Sequence, residues 1–78
     1  MKKLEEARNK INEIDEKMAQ LFCERMHAAQ VIAQYKQEHG LPIYDAAREN
    51  QVIERNSKKV EDDEIRSYYV NFLKATMK

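Results

Sequence analysis

"LEEARNKINEIDEKMAQLFCERMHAAQVIAQYKQE", residues 4–38, decides the fold. Apolar residues recur at Leu4, Ala7, Ile11, Ile14, Met18 and Leu21, then at Ala28, Ile32 and Tyr35, in steps of three and four. That spacing lines one stripe of a helix. The row has one interruption, because Arg25 stands where the next apolar residue belongs. A guanidinium in such a seam either snorkels outward and sets the register of paired helices, or meets an anion placed there.

The only glycine and the only proline fall together in "HGLPIYD", residues 39–45. Glycine after a long periodic run stops a helix, and proline two residues on prevents its resumption. The first helix is therefore expected from Lys3 to Glu38. Asp45 is a natural N-cap for a second helix, "AARENQVIERN". The polar "SKKVEDDE" reads as a loop, and Asp62 or Asp63 caps a third helix. The apolar face of that helix is read as Ile65, Tyr68, Tyr69, Phe72, Leu73 and Thr76. No strand pattern, repeat or low-complexity tract occurs. The expectation is an all-α fold of three helices (long, short, medium) in a single domain, residues 1–78.

Size adds a constraint. A helix of that length runs roughly 54 Å, whereas a compact monomer of this size would be only about 30 Å across. The remaining residues cannot cover such a stripe, so a second copy is the natural cover. An obligate, intertwined homodimer with antiparallel long helices is expected.

Composition narrows the function classes. Fourteen basic and fourteen acidic residues cancel, charged residues make up 36% of the chain and hydrophobic ones 42%. No net field draws the chain to nucleic acid, and no face aligns basic residues with aromatics. No apolar run reaches the ~20 residues of a membrane span, and "MKKLEEARNK" lacks the apolar core of a signal peptide. A cytoplasmic protein without membrane or nucleic-acid partners is expected. Cys23, the only cysteine, fits a reducing compartment. His27 follows it by four residues, but two ligands do not close a zinc site, so no metal is expected. His39 reads as a helix-terminal residue at the negative end of the dipole.

Arg25 does not stand alone. Lys36 lies eleven residues on, near three full turns, and points from almost the same face. Arg8 borders the stripe, but about 25 Å away along the axis. In an antiparallel dimer with its two-fold near residue 19, Arg8 of the partner subunit lands opposite residue 30, between Arg25 and Lys36. Clustered cations in a bundle need a compensating anion. Asp45 and Glu49 fit the positive start of the second helix, but Arg48 between them does not. Together these residues describe a pocket of four cations and two acceptors for a small dianion bearing a hydroxyl.

"EARNKINEIDEKMAQLFCER" (6–25), "VIAQYK" (31–36) and "PIYDAARE" (42–49) taken together resemble the all-helical class of chorismate mutases, over nearly the whole chain. The resemblance implies a small intertwined homodimer that isomerises chorismate to prephenate by a Claisen rearrangement, in aromatic amino-acid biosynthesis, without cofactor, metal or covalent intermediate. It implies that Arg8 reaches the pocket from the partner subunit and that Arg25 and Arg48 belong to the same pocket. Lys36 then contacts the ether oxygen and a carboxylate, and Asp45 and Glu49 accept from the ring hydroxyl. Thr76 matches the family's small hydroxyl residue on the third helix. The glutamine or glutamate that the family carries one turn later would fall near position 80. With no C-cap to its third helix, the chain is expected to be cut C-terminally from a longer protein, in some relatives a fused enzyme. Two other readings remain in view: an isochorismate pyruvate-lyase, disfavoured by the Asp45–Arg48–Glu49 set, and a non-catalytic helical dimerisation or regulatory module that binds a dianion.

Overall fold

The stop at Gly40 and Pro42 ends the first helix in a specific way. In the computed structural model, which describes residues 2–77, α1 spans Lys2–Glu38, α2 spans Ala46–Ser57 and α3 spans Asp63–Thr76. No strand occurs among the described residues. The end of α1 is a Schellman motif: the Leu41 amide donates to the Lys36 carbonyl at 2.7 Å and the Gly40 amide to that of Gln37 at 3.3 Å. The motif requires a left-handed residue between them, and Gly40 supplies it at φ 66°. His39 completes the end, its Nδ1 lying 2.9 Å from the Tyr35 carbonyl and its ring stacked on that of Tyr35.

The chain divides into two compact units, one up to Ile43 and one from Tyr44 onward. In the first, α1 has no buried side chain. Its stripe is open throughout: Ile11 is 56%, Leu21 62% and Ile32 54% exposed. Arg25, Met26, Ala33 and Lys36 alone on the helix are half-buried. Among the described residues no helix is long and apolar enough to cross a membrane.

The second unit is an α2–α3 hairpin. Each helix starts on an aspartate in extended backbone whose carboxylate accepts from an amide three residues on. Asp45 takes the Arg48 amide and Asp62 the Ile65 amide, both at 3.0 Å. The helices pack on each other, with Leu73 buried at 7% exposure and Val52, Ile53, Val60, Tyr69, Val70, Thr76 and Met77 half-buried. The face of α3 expected from its sequence is therefore partly corrected. Ile65, Tyr68 and Phe72 are exposed at 58%, 71% and 48%, and Val70 and Met77 take part in the packing instead. A helix apolar around more than half its circumference can turn either side inward, and the hairpin geometry selects one.

Arg66 closes the connection. Its Nε donates to the carbonyls of Ser57 (3.1 Å) and Val60 (2.8 Å), one terminal nitrogen to that of Glu61 (3.0 Å), and the other meets Asp63. The planar fork satisfies three carbonyls where α2 has ended and α3 has not begun. We expect Arg66→Ala to lower stability by about 1–2 kcal/mol, read by urea unfolding followed at the helical circular-dichroism band. Lysine at this position should recover only part of the loss, because it cannot fork.

Candidate active site

Three cations of α1 and one of α2 were singled out by sequence, and each unit has its own share. On α1, Arg25 and Lys36 differ by about 20° around the axis and about 16 Å along it. Arg8 is exposed and about 25 Å from Arg25 along the axis, so the three cations of one helix do not converge on a single small ligand. The Lys36 ammonium donates to the Ile43 carbonyl at 3.2 Å. Neither Arg8, Lys36 nor Arg48 has a carboxylate at ion-pair distance among the described residues.

The first turn of α2 gathers Asp45, Arg48 and Glu49. Oδ1 of Asp45 accepts from the Arg48 amide, which leaves the carboxylate with further acceptor capacity. Arg48 is exposed and Glu49 half-buried. Glu49 lines a groove of about 550 Å³ together with Tyr44, Ala46, Asn50, Ile53, Lys74 and Met77, a size suited to a small organic molecule. The groove runs from the start of α2 to the end of α3, which an antiparallel hairpin brings side by side. Asp45, Arg48 and Thr76 are not among its walls. The Thr76 hydroxyl donates to the Leu73 carbonyl at 2.6 Å, within its own helix.

Lys74 and Asn50 escaped the sequence reading. Their signal was available: 46, 50 and 53 share one face of α2 and 74 and 77 one face of α3. A short connection makes those two faces neighbours. Among the described residues no group of three or more His, Cys, Asp or Glu side chains is placed to hold a metal ion, and Cys23 is an exposed free thiol.

Cap and acceptor can be separated at Asp45. Asp45→Ala should cost about 1 kcal/mol through the lost cap, whereas Asp45→Asn, an equally good N-cap, should leave stability near that of the wild type. Thermal melts of the two variants check this.

Comparison with known proteins covers the same residues. A family model described as "Chorismate mutase type II" matches residues 7–78. The chain is similar to a chorismate mutase of Methanocaldococcus jannaschii, with 41% identity over 58 residues, 74% of this chain and 59% of that protein. It is also similar to the T-protein of Haemophilus influenzae, with 37% identity over 49 residues, 63% of this chain and 13% of that protein. The match thus spans less than two thirds of either relative's length. No solved structure matches the chain.

Proposed function

The chain belongs to the chorismate mutase type II family, and from that premise we propose that it isomerises chorismate to prephenate. The observation that carries the reading is the ordered set Arg8, Arg25, Lys36, Asp45, Arg48 and Glu49, all of which lie inside the stretch matched by the family.

The chemistry suits these side chains. Chorismate carries two carboxylates, and charge-assisted hydrogen bonds from Arg8, Arg25 and Arg48 hold it folded, with the reacting carbons close together. The carbon–oxygen bond breaks ahead of carbon–carbon bond formation, so negative charge grows on the ether oxygen. The Lys36 ammonium stabilises that charge as it develops. Asp45 and Glu49 are the acceptors available to the single proton of the ring hydroxyl, and Thr76 is the family's small hydroxyl on α3. No proton is removed and no bond to the protein forms, so the reaction calls for neither a general base nor a cofactor.

The site is completed by a second copy in this reading. The open stripe of α1 supports an antiparallel homodimer, and the wide axial separation of Arg8 from Arg25 and Lys36 supports a pocket that takes Arg8 from the partner subunit. The match to a small part of the T-protein supports a place for this segment within a longer chain as well. The lone free thiol fits a cytoplasmic setting.

Loss of chorismate absorbance, with prephenate identified as the product, tests the activity directly. Lys36→Ala should lower kcat by about 10²–10³. Arg8→Ala and Lys36→Ala chains, each inactive alone, should recover activity when mixed. Random exchange makes half the dimers mixed, each with one of two sites intact, so about a quarter of wild-type activity should return. Proven exchange without recovery excludes the shared site.

A further inference from the structure

Lys36 is held at both ends by one turn. Its carbonyl receives the Leu41 amide at 2.7 Å, and its ammonium donates to the Ile43 carbonyl at 3.2 Å. Both contacts depend on how the chain reverses at residues 39–43. Gly40 makes the reversal in the left-handed region, at φ 66°. A proline at 42 disfavours a helical residue 41, and the Ile43 carbonyl comes within hydrogen-bond distance of the Lys36 ammonium. A lysine has long, soft torsions and ordinarily sweeps a wide volume. Here a backbone carbonyl gives its head group a preferred place.

We propose that Gly40 is a positioning residue for the reaction, acting through the Ile43 carbonyl on the Lys36 ammonium. The inference rests on the reading of Lys36 given above. An ammonium has three N–H donors. With one donated to Ile43, two remain, at directions set by the first. That number matches the two acceptors assigned to Lys36, the ether oxygen and a substrate carboxylate. The turn thus converts a flexible cation into an oriented pair of donors before the substrate arrives, the condition under which electrostatic stabilisation needs least rearrangement.

Gly40 permits a clean test, because a Cβ built there meets nothing within 4 Å. Within this chain a Cβ at this position meets no neighbour, so the first effect of a substitution falls on the backbone. Gly40→Val disfavours the left-handed conformation strongly, whereas Gly40→Asn tolerates it. Both variants are made in the full chain and compared with wild type and Lys36→Met for kcat and KM on chorismate, at a temperature where circular dichroism shows each folded.

The expected result is a fall in kcat of at least tenfold for Gly40→Val with KM changed less than threefold, and a kcat within threefold of wild type for Gly40→Asn. In the Lys36→Met background, Gly40→Val should lower the residual rate no further, since the group it acts through is gone. A Gly40→Val enzyme with wild-type kcat overturns the inference and leaves the reading of Lys36 intact. So does an equal loss from Gly40→Val with and without the Lys36 ammonium. A Lys36→Met chain as active as wild type overturns the reading itself, and the inference falls with it.

Discussion

A helix of 37 residues with no buried side chain is the constraint on which the rest turns. An isolated helix in water is at best marginal, and most helical stability in proteins comes from packing an apolar face. The stripe from Leu4 to Tyr35 is built for such packing, and the first unit offers it none. A helix that long also separates its own cations by several turns, which is why the proposed site draws on a second copy. In the proposed dimer, folding and function would share a single requirement. Arg25, half-buried on α1, lies in that stripe, where the proposed reading gives it a substrate carboxylate to meet.

Much of the fold could be read from local chemistry. The bounds of α1 and α2 follow within a residue from the Gly40 stop and the Asp45 start, because caps act across three or four residues and leave their mark in sequence. The same holds for Asp62. The side of α3 that packs was harder to read. Tyr69, Leu73 and Thr76 of the expected face do pack, but Ile65 and Phe72 are as apolar as Val70, and periodicity alone offers no choice between two apolar sides. Arg66 was only partly legible: its Asp63 pair is an i,i+3 spacing, but its three other partners are backbone carbonyls, which every sequence has.

The candidate site divides along the same line. Asp45, Arg48 and Glu49 stand out because they share one helical turn, so their proximity is a matter of counting. Lys36 stands out by its distance from Arg25, yet its tie to Ile43 depends on a turn whose path no spacing rule describes. Lys74 enters the groove through hairpin geometry, and only pairing the faces of α2 and α3 would have revealed it. What short-range chemistry specifies was visible in the sequence, and what chain reversal specifies was not.

The cap at Asp45 has a consequence for how such a site can change. The carboxylate that starts the helix is also, in the proposed reading, an acceptor for the substrate, so it would answer to two selections at once. Most replacements that would admit a differently substituted ring also discard the start of α2. The few residues that pass the first selection, asparagine and serine among them, alter the charge or the reach of the acceptor. Glu49 carries no such double duty in the hydrogen bonds of its side chain. Drift in substrate range should therefore run through position 49 and the groove walls first, while position 45 lags behind, held in place by the helix it begins.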